Sequence, residues 1–257
     1  MDRLMAAHVT VVGLGGVGSY AAEGLARSGV GRLTLVDFDE VCITNFNRQL
    51  HAVEGAVGKG KASLMEERIR AINPHCRIDA PRVFYEKGTS ESLLTPLPHF
   101  IIDAIDNVTA KMHLIATCVG RGIPIVTCLG ASARLDPTRV GTMPLTETFM
   151  DPFAQTLRKN LRRKYDMSME AMAGITAVVS DEPPNWPDKD YRSGLCGVDC
   201  VCPSGRNQHH TCQKRRIVHG SAVFVTSVFG MIAAAVAVRH LAGLPPIPAR
   251  PGRLGRA

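Results

Sequence analysis

Short apolar runs alternate with helical spacings along the first half of the chain. Val9–Val12 has the composition of a strand buried on both faces. A glycine-rich turn follows it, and then a helical pattern running through about Ser28. Arg32–Asp37 reads as a second strand that ends in carboxylates. Gly58–Ile72 carries helical spacing, with Leu64, Arg68 and Ile72 recurring four apart, and Asn73-Pro74 stops it. Arg77–Val83 is a weaker strand, Phe100–Asp103 a short apolar one, Val108–Arg121 a helix and Pro124–Cys128 another strand. Strands alternating with helices imply right-handed crossovers, hence an α/β, doubly wound, mainly parallel sheet of Rossmann-like type.

The second half reads differently. Asp151-Pro152 is a helix start, with Asp as N-cap and Pro in the first turn. Phe153, Leu157, Leu161 and Tyr165 fall on one stripe, and Arg158, Lys159, Arg162, Arg163 and Lys164 crowd the rest. The expected organisation is a core over 1–167 that includes this basic helix, then an irregular, partly mobile crossover over 168–216. An apolar helix over 217–244 packs on the core or at a dimer interface, and 245–257 is a disordered Pro/Arg-rich tail. Ala222–Ala242 approaches the ~20 residues that span a bilayer. Its small residues and terminal Arg239-His240 favour a buried or interfacial helix, with no membrane expected.

Composition narrows this little. At 257 residues the chain holds one sizeable α/β domain, and its 45% apolar content is ordinary for a globular protein. The net charge of +7 favours polyanionic partners. Eight cysteines without an N-terminal apolar core and cleavage site suggest a reducing cytoplasm. Four of them, Cys196, Cys200, Cys202 and Cys212, crowd one segment with spacings unlike a paired zinc site, and free thiols are the expectation.

The turn Gly13-Leu14-Gly15-Gly16-Val17-Gly18 fits G-x-G-x-x-G between a strand and a helix. Its glycines let backbone N–H groups approach phosphates at the helix N-terminus. Asp37 stands where a carboxylate can accept ribose hydroxyls, with Asp39 not separable from it. To this point a dinucleotide enzyme fits equally well. Asn45-Phe46-Asn47-Arg48-Gln49, Lys61 at a helix start and Asp106-Asn107 after the fourth strand do not suit a hydride donor. Arginine and lysine aimed at one crevice suit a triphosphate, and a strand-end carboxylate can hold Mg²⁺ against phosphate oxygens.

As a set, these residues resemble the ubiquitin-activating-enzyme-like superfamily, which includes the ThiF and MoeB adenylyltransferases, over about Val9–Leu135. The resemblance implies adenylation of a carboxylate with Mg·ATP. Asp37 would hold the ribose, Asn45, Arg48 and Lys61 the phosphates, and Asp106 the metal. Arg48, Lys61 and Asp106 would carry catalysis, and a counterpart of Arg48 that crosses a dimer interface implies a homodimer.

Asp136-Pro137-Thr138, the basic helix, Gly197-Val198-Asp199-Cys200-Val201 and Gly220-Ser221-Ala222 resemble the tRNA threonylcarbamoyladenosine dehydratase branch of that superfamily. This extends the likeness over most of 9–242. It implies tRNA as partner and ATP-dependent cyclisation of a threonylcarbamoyl side chain with loss of water. Arg158, Lys159, Arg162, Arg163 and Lys164 would then lie along tRNA phosphates. Cys202-Pro203-Ser204-Gly205 departs from the branch, which continues with an aromatic, a serine and a nearby acid. The alternative is an activator of a ubiquitin-like sulfur carrier, against which the missing Cys-x-x-Cys pairs count. A sulfur-transfer protein stays open as a partner. A dinucleotide oxidoreductase or non-catalytic nucleotide scaffold rests on the glycine turn alone.

Overall fold

The computed structural model describes residues 1–186 and 220–250. Among the described residues seven strands form one sheet: β1 (His8–Val12), β2 (Arg32–Val36), β3 (Arg77–Asp79), β4 (Phe100–Asp103), β5 (Ile125–Cys128), β6 (Val140–Pro144) and β7 (Thr176–Ser180). They lie in the order β3-β2-β1-β4-β5-β7-β6. All neighbouring pairs are parallel except β6 with β7. Every residue of β1 and β4 is buried, as parallel strands covered on both faces require.

Helices flank the sheet: α1 (Asp2–Met5), α2 (Gly18–Arg27), α3 (Lys61–Ile72), α4 (Lys87–Leu93), α5 (Val108–Arg121), α6 (Pro152–Tyr165), α7 (Met169–Ala173) and α8 (Val223–Ala242). The strand order turns outward from β1 in both directions, to β2 on one side and β4 on the other. That reversal opens a crevice at the carboxyl ends of β1 and β4.

The strands and helices expected in the first half form, with shorter ends, and the short helices α1 and α4 come in addition to them. α3 begins at Lys61, and the strand expected to reach Val83 stops at Asp79. Tyr165 does not join the buried stripe of α6, which is Ala154, Leu157 and Leu161, because it sits exposed in the last turn. The irregular crossover expected from residue 168 contains α7 and β7, and β7 inserts between β5 and β6. Its run Thr-Ala-Val-Val-Ser is too short for periodicity to separate strand from buried helix.

α8 is long and apolar enough to cross a membrane by length and composition. Here it packs along α2, with Val225, Phe229, Ala233, Ala234 and Ala237 buried. Small residues permit that approach: a Cβ on Gly230 would stand 2.3 Å from the Val17 carbonyl oxygen. The tail expected to be disordered is bound to the sheet edge over 245–250. The Arg250 N–H donates to the Thr142 carbonyl at 2.9 Å, and the Arg239 Nε donates to the Pro245 carbonyl.

Candidate active site

A cavity of about 730 Å³ opens over the carboxyl ends of β2, β1, β4 and β5, within the usual range of ligand sites. The glycine turn between β1 and α2 forms its floor, and its glycines do different jobs. Gly13 takes φ +89°, and a Cβ there would stand 2.7 Å from the Ala104 carbonyl oxygen. A Cβ on Gly18 would meet the Gly13 carbonyl oxygen at 1.7 Å, so Gly18 closes the turn and does not line the cavity. Gly15 faces open space, with Gln49 Nε2 the nearest atom to a hypothetical Cβ at 3.8 Å. Gly16 packs under Arg48 and Thr226.

Asp37, directly after β2, braces this turn. One carboxylate oxygen accepts the Leu14 N–H at 2.6 Å and the other the Asp39 N–H at 2.8 Å. Burial raises its pKa above the ordinary carboxylate value, opposed by Lys61 and by the two backbone donors. Asp39 pairs instead with Lys61, whose ammonium lies 3.0 Å from Asp39 Oδ2. Lys61 opens α3 with its side chain 7% exposed, so the cation sits in the cavity wall at the start of a helix. Phe38 and Phe84 meet edge to face at 5.0 Å and, with Val36 and Val83, supply an apolar wall fit for a planar base.

The 3₁₀ turn Ile43–Asn45 presents the next group. Asn45 Oδ1 accepts the Cys42 N–H at 3.0 Å and closes the turn. Arg48 is half-buried at the cavity rim, where Nη1 donates to the Thr44 carbonyl and to Asn47 Oδ1. Gln49 is buried, and its Oε1 has no hydrogen-bond partner among the described residues.

Two aspartates at the end of β4 divide the work. Asp103 is fully buried: it pairs with Lys111 at 2.7 Å and accepts the Thr127 hydroxyl at 2.7 Å and the Ile105 N–H at 3.1 Å. It thereby fixes the loop that carries Asp106. Asp106 is exposed on the cavity wall, and no hydrogen bond or ion pair occupies it among the described residues. Asn107, the next residue, caps α5 through the Thr109 and Ala110 N–H groups. Among the described residues no three His, Cys, Asp or Glu side chains converge as a metal cluster. One free carboxylate nevertheless suits Mg²⁺, which is bound through one or two carboxylates together with substrate phosphates.

The β5 side of the cavity holds a third cation. Arg134 is 2% exposed, and its Nη2 donates to the Met150 carbonyl at 2.7 Å. Its Nε and Nη1 have no partner among the described residues, an arrangement costing about 1–3 kcal/mol in a site without a ligand. Burial lowers its pKa, while Asp151 and Glu182 raise it.

Residues 1–254 match the ThiF family. The chain belongs to the ThiF family. It is similar to the tRNA threonylcarbamoyladenosine dehydratase of Escherichia coli strain K12, with 38% identity over 237 residues, covering 91% of this chain and 86% of that protein. Two solved structures of the E. coli enzyme, one in complex with ATP and one with AMP, each match with a TM-score of 0.78. Both are 36% identical and cover 94% of this chain and 88% of theirs.

In this ThiF-family chain, Gly13, Gly15, Gly16, Asp37, Asp39, Asn45, Arg48, Gln49, Lys61 and Asp106 all line one cavity, although they come from loops far apart in sequence. Of the basic helix, Lys159, Arg162, Arg163 and Lys164 are exposed. Arg158 is turned inward, donating to the Leu145 and Thr148 carbonyls and to the Thr148 hydroxyl, and this corrects its place in the basic surface. Cys196, Cys200, Cys202 and Cys212 lie outside the described residues. Sequence reasoning missed Asp103, Lys111 and Arg134. Lys111 sits one helical turn inside α5 among apolar residues, and Arg134 lies in a loop with no periodicity to mark it.

Proposed function

We propose that this chain catalyses the ATP-dependent dehydration of threonylcarbamoyladenosine in tRNA through an acyl-adenylate of the threonyl carboxylate. The carrying observation is the meeting over the glycine turn, in one cavity, of Lys61, Arg48 and Asp106, which has no partner among the described residues. The E. coli relative's ATP and AMP complexes support a nucleotide there.

The aromatic wall takes the adenine, the Asp37–Asp39 segment the ribose, and the open N–H groups around Gly15 the phosphates. Lys61 and Arg48 neutralise phosphate charge as it develops. Asp106 would hold Mg²⁺, which supplies charge neutralisation to the phosphate oxygens when bound. An oxygen of the threonyl carboxylate attacks the α-phosphorus, the bond to the β-phosphate oxygen breaks, and pyrophosphate leaves. A nitrogen or oxygen of the carbamoyl arm then attacks the activated carbonyl and gives up its proton. AMP departs with one original carboxylate oxygen, so the product is the substrate less one water. The arm is held beside the carbonyl, and proximity makes this second step favourable. The exposed Lys159, Arg162, Arg163 and Lys164 lie on tRNA phosphates, two copies of the chain form a homodimer, and the enzyme works in the cytoplasm.

The test is mass analysis of nucleosides after incubating modified tRNA with the protein, ATP and Mg²⁺. Loss of one water that requires ATP supports the reading. Unchanged nucleoside, with pyrophosphate exchange driven instead by a small protein ending in Gly-Gly, would replace it with carrier-protein activation.

A further inference from the structure

Along the carboxyl edge of the sheet, the residues of the cavity follow the strand order. Asp37, Asp39 and Lys61 belong to the β2 side, the glycine turn to β1 and Asp106 to β4, and the loop after β5 carries Arg134. The triphosphate groups therefore occupy the β2–β1–β4 stretch, and the next position along the edge is Arg134. In adenylation the acid must approach the α-phosphate from a place the nucleotide does not fill. That place is the β5 side.

A guanidinium carries five N–H donors in a rigid fork matched to a carboxylate. Arg134 commits Nη2 to the Met150 carbonyl and leaves Nε and Nη1 without partners among the described residues, although the side chain is almost fully buried. The acidic neighbours do not claim these donors. Asp151 accepts the N–H groups of Gly130, Phe153 and Ala154, and Glu182 those of Leu135 and Asp136 and the Asn185 side-chain amide. Both carboxylates are thus engaged with N–H groups, yet their negative charge stays beside the guanidinium. Such surroundings disfavour a polyanion such as a triphosphate and leave hydrogen bonds for a single carboxylate. The Met150 carbonyl holds the fork in place, so an incoming acid meets a preorganised receptor.

We infer that Arg134 is the receptor for the substrate's carboxylate, holding the acid on the β5 side of the cavity for attack on the α-phosphate. This rests on the proposed adenylation of an acid and names the residue that selects it.

The test compares wild type with Arg134→Gln and Arg134→Lys in three measurements. These are steady-state kinetics on threonylcarbamoyladenosine tRNA, ATP binding by titration, and binding of an anticodon stem–loop carrying either the threonyl acid or its carboxamide. Arg134→Gln should lower kcat/KM for the tRNA by roughly 10²-fold, chiefly through KM, because one partner of a buried charge pair is gone. ATP affinity should stay unchanged, and Arg134→Lys should recover part of the loss. Wild type should bind the acid stem–loop more tightly than the amide, and Arg134→Gln should bind both alike.

A merely structural arginine would lower the melting temperature and leave the acid–amide preference intact, which overturns the inference. So does parallel loss of ATP binding in a folded Arg134→Gln variant, or equal binding of acid and amide by wild type. If Arg134→Gln does not fold, the wild-type acid–amide preference and its weakening in Arg134→Lys decide the matter. Failure of the wild-type protein to dehydrate the tRNA at all would instead overturn the functional reading, independently of what Arg134 does.

Discussion

Two lysine–aspartate pairs of the same chemistry occupy two different regions of this molecule. Lys61–Asp39 stands in the cavity wall at the start of α3, with the aspartate side chain 27% exposed. Lys111–Asp103 lies in the core between β4 and α5, with both side chains wholly enclosed and the ammonium 5.9 Å from the Phe153 ring centre. The first pair has an open side toward ligand. In the second, Thr127 and the Ile105 N–H take up the remaining carboxylate capacity, and nothing is left for a ligand. A buried ion pair acts on chemistry only where its surroundings leave part of it unsatisfied. Otherwise it fixes a backbone, here the loop that presents Asp106.

The sharpest break of this comparison is removal of each lysine. Lys61→Ala should cut ATP-dependent dehydration by about 10³-fold through lost transition-state charge stabilisation. It should cost only about 1–2 kcal/mol of stability, since water reaches Asp39. Lys111→Met should do the reverse and destabilise by about 3–5 kcal/mol, because Asp103 stays buried and unpaired. Adding Asp103→Asn should return much of that loss. Denaturant unfolding and single-turnover assays of the same variants read both effects, and equal stability losses for the two lysines would dissolve the distinction.

The glycine turn sharpens it at backbone level. Gly18→Ala forces a Cβ into the Gly13 carbonyl and should cost about 2–4 kcal/mol. Gly15→Ala meets nothing closer than 3.8 Å, so it should leave the melting temperature alone and weaken ATP binding. Calorimetry of both variants with and without ATP checks this, and a stable Gly18→Ala would show that the turn can rearrange.

On the surface, replacing Lys159, Arg162, Arg163 and Lys164 by Gln should flatten the salt dependence of tRNA binding. The log–log slope should fall by about 0.7–0.9 for each phosphate that is no longer neutralised. Arg158→Gln should leave that slope unchanged and lower stability, because its hydrogen bonds run inward. An effect of Arg158 alone on the slope would restore it to the tRNA surface.

The smallest effect concerns pH. His51 is buried with neither ring nitrogen hydrogen-bonded among the described residues, and burial, with Lys61 and Arg68 nearby, lowers its pKa from 6.5 to about 4. Between those values the unfolded chain binds a proton that the folded one refuses, so stability falls as pH drops through this window. His8, also lowered to about 4, contributes in the same direction. His51→Leu should flatten the decline of melting temperature from about pH 6.5 to 4 without abolishing it. An unchanged profile would show that His51 is not among the groups responsible.

What the chain's residues alone determine is local. Buried parallel strands are continuous apolar runs, and G-x-G-x-x-G after such a run marks a tight strand-to-helix turn whose N–H groups can approach phosphates. For that reason the strands β1 to β5 were legible from pattern, and pattern with resemblance picked out candidate residues most of which line one cavity. The antiparallel β6–β7 pair was not, because Thr176–Ser180 is too short for its period to declare itself and its partners are set by long-range pairing. The inward turn of Arg158, the bracing role of Asp103 and the Arg134 donors left without a partner among the described residues belong to the tertiary structure alone. Whether a charged side chain is solvated, saturated or waiting for a ligand depends on which carbonyls and carboxylates other segments bring to it. No spacing along the chain encodes those neighbours.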